Sequence, residues 1–435
     1  MMGQKMNTEI IAILLFVVLI LVLLTGFPVA FVLGGVSIWA GILFVPDFLD
    51  FLPLRIMGTI QNYVLLAVPL FVFMGLTLEK SGIAEDLLQS MGIMFGKVKG
   101  GLALSVVLVG TLLAASTGIV GATVISMGLI SLPFMLKKNY SVPLATGVIA
   151  SAGTLGQIIP PSVVLVLLGS VLNVPVGDLF KAAIIPGFML VAAYILYILG
   201  YAYFFPERAP AIPEDEIKAY KKDNYKSKLA IAFLYPMVLI ISVLGVIFAG
   251  IASPTEAAAV GAFGALFLAF TKKKLTWKLL EHVSKETTYI TSMVFMILVG
   301  AATFSLVFRG LGGDKLLVSV VDSAGLSGNQ FLILVMIVVF IAGFFIDFIE
   351  IIFIIVPIVA PVFAKLHMDP LWIGILLALN LQTSFLTPPF GFALFYLKGV
   401  APDTVKTSDM YRGIVPFILI QLLVLALVIV FPEII

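Results

Sequence analysis

Two short stretches hold the residues best suited to chemistry. Residues 153–162 read GTLGQIIPPS and residues 383–391 read TSFLTPPFG, both inside apolar runs. Their proline pairs, Pro160-Pro161 and Pro388-Pro389, lie 228 residues apart. Glycine and proline break helices. A broken helix bares carbonyl oxygens on one half, which suit a hard cation such as Na⁺. It bares N–H groups on the other, which suit a carboxylate. In the first half STG (116–118) would meet the break at mid-depth. Ser116, Thr117, Ser151 and Thr154 add hydroxyl oxygens, and Gly118, Gly153 and Gly156 permit tight backbone geometry. In the second half Thr383, Ser384 and Thr387 supply the oxygens, opposite GFFIDFIE (343–350). There Asp347 and Glu350, three apart, would share a helix face. Carboxylates in apolar segments are costly and usually functional, so Asp347 reads as an ion-binding or gating residue. The competing readings are acids ordered by Arg309 or a hydroxyl, or acids at a wet hairpin mouth. Glycines and prolines also serve as plain kinks or packing sites. Recurrence at corresponding positions is what favours a site.

These residues need a membrane scaffold. At 62% hydrophobic and 11% charged, the chain has too little polar surface for a soluble globular domain. Several apolar runs exceed the roughly 18–20 residues that span a bilayer, and they do not alternate as barrel strands would. A net charge of +2 argues against a nucleic-acid binder. No cysteine is present, and His282 and His367 are the only histidines, which removes thiolate and histidine-rich metal sites. No HExxH or GxxxxGK[ST] motif occurs. The expectation is an all-α polytopic membrane protein that is not an enzyme.

The polar segment around 205–228 divides the chain into halves, 1–204 and 229–435. Punctuation matches between them: Gly82 falls on Gly310, Pro133 on Pro361 and Pro160 on Pro388. Such duplication is a signature of secondary transporters. Each half reads as two spans (9–25 with 28–45; 229–250 with 254–271), an amphipathic arm (47–62; 272–288) and one further span (63–80; 289–308). A long apolar stretch, a broken helix (143–172; 370–398) and a last span (182–204; 413–432) follow. The stretch 102–136 is too long for one straight crossing and too short for two with a turn between. It therefore reads as a re-entrant hairpin, as does 331–363, since non-helical backbone at depth must face protein or a water-filled cavity. Each half then crosses five times, which gives about ten crossings and inverts the second half. With that topology 19 Lys/Arg fall on one side and six (Lys5, Arg55, Lys181, Arg309, Lys315, Lys365) on the other. The rich side is cytoplasmic, and both termini lie outside.

Smaller features read as structural. Glu256 is expected to cap a helix. Glu79-Lys80 and Glu85-Asp86 read as a solvated turn, and Trp39, Trp277 and Trp372 as interfacial anchors. No small-residue cleavage site follows the first apolar run, so that helix is expected to be retained.

AASTGIVGATVISMGLISLP, ASAGTLGQIIPPSVVLVLLG, GFPVAF and TPPFG together resemble the large membrane subunit of tripartite ATP-independent periplasmic (TRAP) transporters, over essentially the whole chain. The resemblance implies Na⁺-driven uptake of organic acids by an elevator-type transport domain in a bacterial inner membrane. It implies two separate partners, a small four-helix membrane subunit and a periplasmic substrate-binding protein. It places ions at the hairpin tips and breaks, Gly343 and Asp347 included. Substrate would contact Ser116, Thr154, Gln157, Pro160, Gln382, Thr387 and Pro388. The residues alone leave other readings open: a self-sufficient Na⁺–dicarboxylate symporter, an intramembrane hydrolase and a passive channel. Both histidines lie in charged edges away from STG, which weakens the hydrolase, and inverted halves argue against the channel.

Overall fold

Helix propagation and interruption account for the whole architecture. The computed structural model describes residues 2–118, 120–221 and 225–435, with side chains at 10–114, 118, 120–218 and 233–435. Among these residues there is no strand. The first half runs α1 (Met2–Leu23), α2 (Val29–Phe44), α3 (Pro46–Leu49), α4 (Leu52–Ile60), a 3-10 turn at Tyr63–Leu66, α5 (Ala67–Lys80) and α6 (Ile83–Met94). It continues with α7 (Gly101–Thr117), α8 (Val120–Lys137), α9 (Val142–Thr154), α10 (Val163–Leu172) and α11 (Val176–Phe204). After α12 (Glu214–Lys221) come α13 (Tyr225–Phe248), α14 (Pro254–Thr271), α15 (Trp277–Gly310), α16 (Gly313–Ser323) and α17 (Gly328–Ala342). The chain ends with α18 (Phe348–Ile354), α19 (Val356–Lys365), α20 (Pro370–Leu386), α21 (Phe392–Val400) and α22 (Thr407–Val430).

Helix starts follow from local chemistry. Ser253 and Glu256 form a reciprocal capping box that opens α14, the role read for Glu256. Ser327 and Gln330 do the same for α17. Left-handed backbone recurs between the halves: Gly26 with Gly250, Gly82 with Gly312, Gly100 with Gly325, and Asn139 with His367. Both Pro-Pro bonds are cis. The backbone thus pairs Gly82 with Gly312 rather than with Gly310.

The helices pack in matched sets. α2 lies along α15 and α14 along α5, while α9 lies along α22 and α11 along α20. At the α9–α22 crossing Gly147 and Gly413 bring the backbones together. A Cβ on Gly147 would sit 2.7 Å from the Gly413 carbonyl carbon. Such close approach is how helices adhere in lipid, where apolar burial gives no net drive. α7 and α8 fold against each other, and the Leu102 N–H donates to the Tyr140 hydroxyl at 3.2 Å, so this stretch returns to its own start. Phe331 and Phe363 likewise meet edge-on at 5.0 Å.

Several local readings change. Residues 83–94 and 313–323 form short helices, each opened by a left-handed glycine. Glu79 is buried, 8% exposed, and bonds Ser126 and Lys80 instead of lying in a solvated turn. Trp39 and Trp277 are exposed, but Trp372 is half-buried and its indole N–H donates to the Val428 carbonyl at 3.0 Å. The polar segment is stitched down: Gly100 N–H donates to Ala209 O, Ser141 N–H to Arg208 O and Ile212 N–H to Gly96 O, at 2.7–2.9 Å. The expected second arm is not separate, because α15 runs unbroken from Trp277 through the span, whereas α4 ends before α5.

Among the described residues six helices are long and apolar enough to cross a membrane, or seven if the pair α18–α19, bent by 49°, counts as one. The sequence reading of about ten crossings also counts α1, α2 and α13, whose described apolar stretches Ile10–Leu23, Val29–Phe44 and Phe233–Phe248 are shorter, and the interrupted helices 143–172 and 370–398; it leaves out Val120–Lys137, a limb of the expected hairpin. Of the interrupted helices, α9 and α10 have 13 and 10 residues, each too short to span a bilayer alone.

Candidate functional site

The first break is assembled from α7, α9 and α10. α9 tightens into a 3-10 turn at Leu155–Gln157 and then loses helical geometry. Ser162 restarts the chain, its hydroxyl accepting from the Leu165 N–H at 3.4 Å and donating to the Gln157 carbonyl at 2.8 Å. The first N–H groups of α10 have no intrahelical acceptor, and they form the electropositive end of that half-helix. Gly118, at φ +62°, closes α7 against that end. A Cβ there would lie 3.1 Å from the Val163 nitrogen. Gly156 rests on the backbone of Ala114, and Gly153 on Val124. The GTLG turn therefore touches both limbs of the α7–α8 hairpin. The side chains of Ser116 and Thr117 lie outside the described residues, so of STG only Gly118 can be placed fully.

The second break repeats the plan. α20 ends at Leu386, and α21 restarts at Phe392. Gly343, between α17 and α18, leaves room that Ser384 occupies. Asp347 is the N-cap of α18: its carboxylate accepts from the Phe348 N–H at 2.6 Å, and Glu350 accepts from the Asp347 N–H at 3.0 Å. The two acids are joined by a D-x-x-E capping box, a signal legible in GFFIDFIE that the reading as a shared helix face passed over. Arg309 makes no ion pair with either acid.

The hydroxyls share one habit. Thr154 donates to the Ser151 carbonyl (2.9 Å), Ser151 to Gly147 (2.7 Å), Thr383 to Leu379, Ser384 to Leu381 and Thr387 to Thr383 (each 2.8 Å). Each proton is spent inside its own helix, which leaves oxygen lone pairs free to face a ligand. Among the described residues no three His, Cys, Asp or Glu side chains gather as metal ligands. A cation here would be held by neutral hydroxyl and carbonyl oxygens, and that donor set fits a hard monovalent ion.

Gln157 and Gln382 stand apart. Both are fully buried, and neither amide oxygen nor amide nitrogen has a hydrogen-bond partner. A buried orphan amide costs about 1–3 kcal/mol and calls for a water, ion or ligand. α20, which carries Gln382, packs against the 155–157 turn, so the two breaks are neighbours. α10 also packs on α18, the helix capped by Asp347, and α21 packs on α8. Pro160 is buried beside the first break, whereas Pro388 is half-buried at the second. Two further polar contacts escaped the sequence reading. Asn62 donates to Ser170 at 2.9 Å, and Glu79 bonds Ser126. Neither pair is flagged by spacing, since their members lie 108 and 47 residues apart.

Known proteins resemble the chain over most of its length. The C4-dicarboxylate TRAP transporter large permease protein DctM of Pseudomonas aeruginosa is 32% identical over 394 residues, 90% of each chain. The sialic acid TRAP transporter large permease protein SiaM of Vibrio cholerae is 31% identical over 412 residues, 94% of each. The YdaH transporter of Alcanivorax borkumensis has a similar fold, with a TM-score of 0.62 at 14% identity over 90% of this chain and 89% of that one. The family described as "Tripartite ATP-independent periplasmic transporter, DctM component" matches residues 16–434. On that near-complete match this multi-pass membrane chain belongs to the DctM family, the large permease component of TRAP transporters.

Proposed function

We propose that this chain is the Na⁺-coupled permease of a tripartite importer of organic acids, working by an elevator mechanism in a bacterial inner membrane. The observation that carries the reading is the pair of buried, unpartnered glutamines beside two neighbouring helix breaks. Na⁺ would sit among Ser151, Thr154, Thr383, Ser384, Thr387 and the carbonyls bared at the breaks. The carboxylate would take the α10 end and the two amides. The hairpins and broken helices form the moving body, and α2, α5, α14 and α15 the frame it moves against. Each net charge moved across a membrane costs about 2.3 kcal/mol per 100 mV, so cation and anion travel more cheaply together. The recurrence of left-handed residues supports duplicated halves, and the names of the relatives support acidic solutes. The proposed partners are a small four-helix subunit and a periplasmic binding protein, and the chain alone would transport poorly.

The test is reconstitution with both partners, followed by uptake of labelled organic acids with and without a Na⁺ gradient. Strong Na⁺-driven uptake by the chain alone would replace the tripartite reading with a self-sufficient symporter. In the working system Thr154→Val keeps side-chain shape and removes one oxygen. It is expected to raise the Na⁺ concentration for half-maximal uptake severalfold, with little change in yield. An unchanged Na⁺ titration would remove Thr154 from the ion site.

The topology has its own check. Single cysteines at Lys138 and Lys315 in this cysteine-free chain are expected to react from opposite sides of the membrane, Lys138 from the cytoplasm. Labelling of both from one side would defeat the inverted arrangement.

A further inference from the structure

A cavity of about 940 Å³ opens between α4 and α15 on one wall and α10, α18 and α19 on the other. It is separate from the breaks, and it lies on the face that the lysine distribution assigns to the periplasm. Two of its lining residues are arginines, Arg55 from α4 and Arg309 from the end of α15. Among the described residues neither guanidinium has an acidic partner. The nearby acids of the arm, Asp47 and Asp50, form no part of the lining. Thr59, Ser305 and Asn62 add hydrogen-bonding groups. Asn62 also donates to Ser170 of α10, another lining residue, which ties the two walls together.

We propose that Arg55 and Arg309 form an outer docking site for a carboxylate, occupied before the anion reaches the helix breaks. This rests on the uptake reading above and adds a second station to it. Two unpaired guanidiniums in one walled cleft focus a positive field on its mouth. The planar fork of arginine matches a carboxylate in two parallel hydrogen bonds, a recognition that lysine cannot give. The volume suits an organic acid rather than a bare inorganic ion. An anionic lipid headgroup could offer similar chemistry, because α4 carries Arg55 on an exposed amphipathic arm. Arg309, at the end of the spanning helix α15 and lining the cavity, favours the soluble acid.

The cysteine-free chain allows a direct test. Ala302→Cys places a thiol in the cavity wall of the full chain, purified into discs of neutral lipid. Labelling rates are measured with a sulfonate-bearing and a trimethylammonium-bearing methanethiosulfonate, each relative to a free thiol at fixed ionic strength. The anionic reagent is expected to be favoured about tenfold. Succinate is expected to slow it severalfold more than chloride of equal ionic strength. Arg55→Gln or Arg309→Gln should lower the preference and remove the protection. Arg55→Lys should keep the preference and lose most of the protection, which separates a fitted site from a diffuse field. Protection by succinate no greater than by chloride would overturn the proposal, as would a preference unchanged in both glutamine variants. So would an arginine-dependent block seen only in discs of phosphatidylglycerol, which would assign the arginines to lipid. Uptake with the partners separates the two readings. Na⁺-driven uptake without protection removes the docking site alone, whereas protection without any uptake removes the transport reading alone.

Discussion

Gly156→Ala is expected to lose most of the folded protein and all measurable uptake in what remains. The added methyl would lie 2.8 Å from the Ala114 carbonyl carbon and 3.0 Å from its Cα, and its nearest neighbour is the Ala114 carbonyl oxygen. These are backbone atoms near the end of α7, so no side-chain rotation relieves the contact. Overpacking of this kind costs about 1–3 kcal/mol, and here the strain would fall on the turn leading to Gly118. Gly399→Ala is the control, since nothing lies within 4 Å of a Cβ there. Size-exclusion yield after extraction and uptake by the same preparations give the answer. Yield and uptake like those of the parent chain would show that the turn does not need its close contact with α7.

Gln157→Met and Gln382→Met are expected to act in the reverse direction on stability. Methionine has nearly the volume of glutamine and no amide to satisfy, so each change relieves an orphaned group in the ligand-free chain. A gain of about 1–3 kcal/mol per site is the upper range for that relief. Uptake should nevertheless fall by at least tenfold, because the amides are the polar groups the ligand would use. Thermal unfolding without ligand, measured beside uptake, separates this from a packing role. A destabilised variant with normal uptake would return both glutamines to the core.

Much of the site was legible because its signals are local. Glycine and proline interrupt helices wherever they stand, so GTLGQIIPPS and TSFLTPPFG announced their breaks without tertiary information. The length of 102–136 likewise left few ways to house it. What could not be read depends on meetings across the chain. Glu79 lies beside a lysine in sequence, and only the packing that brings it to Ser126, 47 residues away, shows that it is out of solvent. Arg55 and Arg309 are ordinary interfacial cations until one cavity collects them. The capping box at Asp347 and Glu350 was written in the sequence, but two acids in an apolar run drew the eye to ion chemistry first. The separate arm expected over 272–288 failed because nothing between Trp277 and Gly310 breaks a helix: that stretch has no proline, and its glycine at 300 is spent on packing against α2.

That last difference makes the frame mechanically lopsided. α15 is a single strut of 34 residues, about 51 Å long at 1.5 Å per residue, so a push at its lysine-bearing foot is felt at Arg309. Its counterpart is jointed: α4 and α5 are parted at Gln61 and Asn62, and Asn62 is hooked to Ser170 on the opposite wall. In the proposed elevator, a body sliding between a rigid post and an articulated one would have a preferred pivot. Under that proposed motion it would swing most freely at the joint, so the doorway beside α4 would be the one whose width the frame itself leaves adjustable.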